Sequence, residues 1–297
     1  MAATAVVLGT AGITPAIAHD GPHQSAAHGP AKGRAASFTA TLSGAEEVPV
    51  AGGPAVNDPD GKAVALVKVK GNRVTFALRW KGLVPSLGHI HQGAKGQNGA
   101  VRVPLFGSAM PDTVHSAAGQ VSLTDAELAD DIRSDPAGFY VNLHSAEFPG
   151  GAVRGQLKPL KHNVNPLSII KGGKLRGLSN GDQEVPKNDA SKVGDPDGHA
   201  VTFLRPKGTN VDYSLAWVSI KSPSLGHIHK GKFGVNGPVV LDFFNNPVPD
   251  GIFAVSGRLT GQDAAVVDRV RANPRNYYSN IHTTEFPDGA VRGQLFR

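Results

Sequence analysis

A His-x-His pair and a later Asn-(Leu/Ile)-His occur twice in this chain at one fixed interval, and no other feature constrains the fold as strongly. Gly88-His89-Ile90-His91 and Asn142-Leu143-His144 return as Gly226-His227-Ile228-His229 and Asn280-Ile281-His282, each histidine displaced by the same 138 positions. Solenoids repeat at roughly 20–50 residues, so an interval this long marks two whole domains in tandem. Imidazole clusters are most often metal sites, so three histidines kept in register across a duplication point to a site.

The rest of the duplication is legible block by block. Glu47-Val48-Pro49 is answered by Glu184-Val185-Pro186, Asp58-Pro59-Asp60-Gly61 by Asp195-Pro196-Asp197-Gly198, and Trp80 by Trp217. The segment from Glu147 to Leu157, ending Ala152-Val153-Arg154-Gly155-Gln156-Leu157, returns from Glu285 to Leu295. The interval is 137 up to Trp80 and 138 from His89, so one extra residue lies between Trp217 and His227. Two units result, 37–160 and 173–297, joined by a linker at 161–172. Around it Lys158, Lys161, Lys171 and Lys174 occur with no acid between Glu147 and Asp182. Such a run reads as a solvated linker in preference to a polyanion-binding strip.

Within each unit the apolar residues alternate over short runs. Ala63 to Val69 and Arg73 to Trp80 flank Gly71-Asn72, which predicts a hairpin with a tight turn. Ala200 to Leu204 and Val211 to Trp217 repeat it. The helical signal is Thr124-Asp125-Ala126-Glu127, a capping-box pattern, followed by Leu128, Ile132 and a stop at Pro136; residues 260–272 take its place in the second unit. The expected class is all-β: two tandem antiparallel Greek-key sandwich or barrel domains, each with one short helix.

With no cysteine, disulfides, zinc-thiolate sites and thiol catalysis are excluded. The net charge of +6 is dispersed, without an arginine-rich arm, which argues against nucleic-acid binding. Residues 2–18 are apolar and small and end in Ala16-Ile17-Ala18, the pattern of a secretory signal, so residues 1–18 read as a signal peptide and the mature protein as secreted, without a membrane span. Residues 19–36 read as a tail whose His19, His23 and His28 either chelate copper at a new N-terminus or are simply solvated.

On a strand, side chains two apart share a face, with Cα atoms roughly 6.5–7 Å apart, so both rings of a His-x-His can reach one ion. His89, His91 and His144 form one candidate set, and His227, His229 and His282 the other. Three imidazoles without thiolate suit copper or zinc and leave a fourth position for water or substrate, whereas calcium and magnesium prefer oxygen ligands. The alternative is that these are hydrogen-bonded core histidines. His115, His162 and His199 have no counterpart histidine and are set aside. Arg154 and Arg292 follow the third histidine across a turn; they either guide an anion to the metal or pair with Glu147 and Glu285. Those two glutamates are candidates to orient a ligand imidazole, although their odd spacing from His144 and His282 sets them on the other strand face.

Together, the Glu-Val-Pro, the Gly-His-Ile-His-x-Gly with a following Asn-Gly, the Asn-(Leu/Ile)-His and the Ala-Val-Arg-Gly-Gln-Leu end resemble the CHRD domain, named after chordin. The resemblance covers nearly everything from Ser37 onward and implies an immunoglobulin-like or Greek-key β fold and extracellular placement. A more distant likeness is to copper-zinc superoxide dismutase. It implies His89, His91 and His144 as copper ligands and Arg154 as anion guide, with His227, His229, His282 and Arg292 repeating the set. Three functions are therefore in play: a secreted copper (or zinc) protein for binding, storage or redox chemistry; a dismutase-like copper oxidoreductase; and a structural or adhesive surface module meeting a protein or cell-surface partner.

Overall fold

A computed structural model describes residues 34–169 and 171–297. The expected signal peptide and most of the tail, with His19, His23 and His28, lie outside the described residues. The first unit contains β1 (Ala36–Ser43), β2 (Lys62–Lys70), β3 (Arg73–Lys81), β4 (Leu87–Gln92), β5 (Val101–Phe106), β6 (Val114–Ser122), α1 (Ala126–Ser134), β7 (Phe139–His144), β8 (Val153–Gln156) and the short β9 (Lys158–Pro159). The second repeats the order as β10 (Leu175–Asn180), β11 (His199–Lys207), β12 (Asn210–Val218), β13 (Leu225–Lys230), β14 (Val239–Phe244), β15 (Ile252–Leu259), α2 (Ala264–Ala272), β16 (Tyr277–His282) and β17 (Val291–Phe296).

Each unit is an antiparallel sandwich. In the first, β1, β2, β3 and β6 pair side by side as one layer, and β5, β4, β7 and β8 as the other. The final strand segment passes from one layer to the other: β8 pairs with β7, and β9 two residues on pairs with β1. Period-two alternation selects the buried faces. On β2 it buries Ala63, Ala65, Val67 and Val69, and on β4 it turns Ile90 into the core at 0% exposure while His89 and His91 face outward. The hairpin turns occur where the sequence places them. Gly71 and Gly208 adopt φ of 58° and 60° at the first turn position, which a two-residue type II′ turn requires.

Both helices start later than the sequence pattern suggests. Asp125, not Thr124, caps α1, its carboxylate accepting from the Glu127 and Leu128 amides. In the second unit Gly261 sits at φ 66° and Asp263 takes the cap, so the helix covers 264–272 and not 260–272.

The two domains share a sheet. β6 pairs antiparallel with β15, its own counterpart, with Ala117 opposite Val255 and Ser116 opposite Ser256, so one layer continues as β3-β6-β15-β12 across the join. Because counterpart strands meet head to tail, an approximate twofold axis passes through this pair. The linker is more tethered than a purely solvated segment. The Leu160 and Val164 amides donate to Ser37, the turn at Pro166–Ile169 packs on β2, β3 and β6, and Ser214 Oγ donates to the Lys171 carbonyl. Lys158, Lys161, Lys171 and Lys174 all remain exposed.

Candidate metal centre

The outward faces of β4 and β7 bring the three histidines of each unit together. In register, His89 lies opposite Asn142, His91 opposite Tyr140, and His144 opposite Leu87 at the strand end. One nitrogen from each of His89, His91 and His144 lies within 4.8 Å of the others, and the same holds for His227, His229 and His282. His89 Nδ1 stands 3.3 Å from His144 Nε2, and His227 Nδ1 3.3 Å from His282 Nε2. Two nitrogens bound at about 2.0–2.1 Å to one tetrahedral ion lie roughly 3.3–3.4 Å apart, so the spacing fits a shared cation.

The carbonyls around the rings fix which nitrogen is available. His91 Nδ1 is 2.9 Å from the Gly99 carbonyl, and His144 Nδ1 is 2.9 Å from that of Pro149. A carbonyl only accepts, so each Nδ1 carries the proton and each Nε2 keeps a lone pair. The second domain repeats both contacts through Gly237 and Pro287. His91 Nε2 and His229 Nε2 are buried without a hydrogen-bond partner. Burial holds His89 and His227 at pKa values of about 4, with the neighbouring imidazoles adding to the effect, and lowers His91 and His229 as well. At these four rings the surroundings favour the neutral imidazole, the form that ligates metal.

The surrounding shell explains several motifs that have no obvious chemistry of their own. Gly99 and Gly237 follow the asparagines of the repeated Asn-Gly. A Cβ at Gly99 would lie 1.6 Å from the Gln92 carbonyl oxygen, so only glycine lets this loop close on His91. Asn98 ties the loop down by donating to the Val48 carbonyl and accepting from Arg154.

Arg154 and Arg292 are the largest fully buried side chains, 2% and 1% exposed. Arg154 donates to the carbonyls of Ala94 and Gln97, and its guanidinium lies 3.4 Å over the Tyr140 ring, on which His91 also stacks. Arg292 makes the matching contacts to Lys232, Val235 and Tyr278. Guiding an anion needs a guanidinium that solvent ions can reach, and these two are spent on the loop that supports His91 and His229. The pairing with Glu147 and Glu285 is also absent among the described contacts; the glutamates that act electrostatically on the arginines are Glu47 and Glu184.

Glu47 and Glu184 were visible in sequence only as the start of the repeated Glu-Val-Pro. Each accepts from the asparagine opposite His89 or His227: Asn142 Nδ2 to Glu47, and Asn280 Nδ2 to Glu184, both at 3.3 Å. Burial pushes both carboxyls up to about 7 although Arg154 and Arg292 pull the other way. Gly151 and Gly289, at φ of 146° and 140°, close against them. In the second domain a cavity of about 60 Å³ is lined by Glu184, His229, Asn280 and His282.

The two centres differ in their surroundings. Asn245 bonds His227, Lys187 acts on His229 and His282, and Asp288 acts on His282, where the first domain has Gly107, Val50 and Gly150. His227 Nε2 is 3.5 Å from Asp242, where the first domain has Pro104 opposite His89.

The model of one protein family, described as the CHRD domain, matches residues 38–157 and again 176–295, well over half of the chain. No curated protein matches the chain.

Proposed function

The chain belongs to the CHRD-domain family, twice over, and on that footing we propose that it is a secreted metal-binding protein with one three-histidine centre per domain. The observation that carries this reading is the convergence of three imidazole nitrogens, with the tautomers of two of the three rings set by carbonyls and one Nε2 in each centre buried and unpartnered. His89, His91 and His144 would hold one ion, and His227, His229 and His282 the other. Neutral nitrogen donors without thiolate or carboxylate suit copper or zinc. A bound copper ion would supply one-electron chemistry, and a zinc ion Lewis acidity.

The protein's own groups would bind and orient. Gly99 and Pro149 aim two rings, Arg154 and Tyr140 brace the loop behind His91, and Glu47 holds Asn142 beside His89. Secretion is supported by the apolar, small-residue segment 2–18. Among the described residues no helix is long and apolar enough to cross a membrane. The test is metal analysis of tag-free protein together with the electron paramagnetic resonance spectrum after copper loading. Close to two ions per chain with nitrogen hyperfine structure is expected; no uptake after loading with copper or zinc would leave a purely structural pair of domains.

A further inference from the structure

The outer face of the shared sheet carries two neighbouring cross-strand rows where the domains join. One is Ala77, Ala118, Ala254 and Ala216, and the next is Arg79, Ser116, Ser256 and Ser214. The approximate twofold exchanges them: Ala77 is the counterpart of Ser214, Ala118 of Ser256, Ala254 of Ser116, and Ala216 of Arg79. One row is methyl throughout and its twin is polar throughout.

The two rows also meet different surroundings. Ala77, Ala118 and Ala254 are fully buried at 0% exposure in a small apolar cluster, and the linker turn packs on the neighbouring strands. The polar row instead opens into a cavity of about 280 Å³, whose walls add Lys171, Arg205 and Arg258, with His115 and Asp212. A void left by indifferent packing would have similar linings on both sides of the axis.

The charge in this cavity is one-sided. Among the described residues that line it, Lys171, Arg205 and Arg258 stand with one carboxylate, Asp212, which Arg258 already bonds at 2.5 Å. Arg205 is held in place by donating to the Gly172 carbonyl. On the floor Ser214 donates to the Lys171 carbonyl and accepts from Ser256 at 2.8 Å, which leaves the Ser116 hydroxyl as the donor facing the cavity. The volume lies just under the roughly 300–1,000 Å³ of pockets for drug-sized ligands, which suits a small anion or the charged end of a larger molecule. Guanidinium groups with hydroxyl donors are the usual partners of phosphate and sulfate oxygens.

We propose that this junction cavity binds a tetrahedral oxyanion, a phosphate or sulfate group, with Lys171 and Arg205 at the rim and the Ser116 hydroxyl on the floor. No residue of the imidazole centres lines it, so it does not depend on metal.

Calorimetric titration and thermal melting of the full chain, stripped of metal by chelator, test the site with sodium phosphate and sodium sulfate in turn, against sodium chloride at equal ionic strength. One saturable site per chain is expected for at least one oxyanion, with a rise in melting temperature beyond that given by chloride; the stronger of the two identifies the group. Lys171→Gln/Arg205→Gln is expected to weaken binding at least tenfold. Ser116→Ala/Ser214→Ala/Ser256→Ala copies the row its twin already carries, so it keeps the fold, and it is expected to weaken binding severalfold. His89→Ala/His227→Ala is expected to leave binding unchanged. Absence of saturation by both oxyanions, equal binding by the Lys171/Arg205 variant, or loss in the His89/His227 variant would each overturn the proposal.

Discussion

His89 Nδ1 and His144 Nε2 approach to 3.3 Å across neighbouring strands, and His227 and His282 repeat the distance in the second domain. Each pair therefore supplies two of the three imidazoles of a proposed centre, and loss of either member should abolish it. His144→Ala is expected to reduce bound copper or zinc from two ions per chain to one, and His144→Ala/His282→Ala to none. Both rings sit on the outer face, so melting of the metal-free protein should move little. Elemental analysis and a melting curve on the same sample check this.

The centres should load unequally. Asp242 beside His227 Nε2 makes that imidazole a better donor and adds negative charge, while Pro104 offers the first centre neither. The second domain is expected to bind its ion roughly 10-fold more tightly, within the range such outer partners command. Asp242→Asn should bring the two affinities together; competition against a chelator in His144→Ala and His282→Ala backgrounds reads each site alone.

Arg154 acts on His91 through the loop it pins. Arg154→Lys keeps the charge but loses the planar contacts to Ala94, Gln97 and Tyr140. A loss of about 2–4 kcal/mol in stability is expected, as for other buried cations deprived of partners. Metal should be lost selectively from the first centre, because Gly99 no longer holds the His91 ring. Denaturant titration and site-resolved metal binding distinguish this from uniform loss in both domains.

Stability of the metal-free protein should depend on pH in two opposed ways. His89 and His227 fall from 6.5 to about 4 on folding, so the unfolded chain takes up protons first and stability drops as pH falls from 6.5 to 4. Glu47 and Glu184 rise from 4.5 to about 7, so the folded chain holds protons that the unfolded chain releases, and stability drops as pH rises from 4.5 to 7. Between pH 4.5 and 6.5 the two slopes oppose each other. Glu47→Gln/Glu184→Gln removes only the second, and at pH 8 it is expected to be more stable than the parent by about 1–2 kcal/mol per site after allowance for solvent screening. Urea unfolding from pH 4 to 8 without metal measures both limbs.

The histidine sets, the hairpins and the all-β class were legible because period-two alternation and duplication are both properties of side-chain order. His89 and His91 had to share a face, and Gly71-Asn72 had to turn. What stayed hidden depends on the backbone or on distant pairing. Gly99 and Pro149 act through carbonyls that any residue possesses. Glu47 reaches Asn142 from 95 positions away, and its repeated Glu-Val-Pro gives no hint of which face it meets. Arg154 reads in sequence as an anion guide or a partner of Glu147, because its sequence neighbours do not reveal that Tyr140 and the 94–98 loop surround it. The join between β6 and β15 has no side-chain signature, since strand edges recognise each other through amides and carbonyls common to every residue.

That join has a consequence for any single copy of the unit. Cut from its sister, a lone module would expose an uncapped edge complementary to itself, and two such modules would associate only when concentrated enough to meet. Gene-level tandem fusion replaces that dilution-sensitive encounter with a permanent one, so both histidine-bearing faces keep a constant separation even where the protein is scarce.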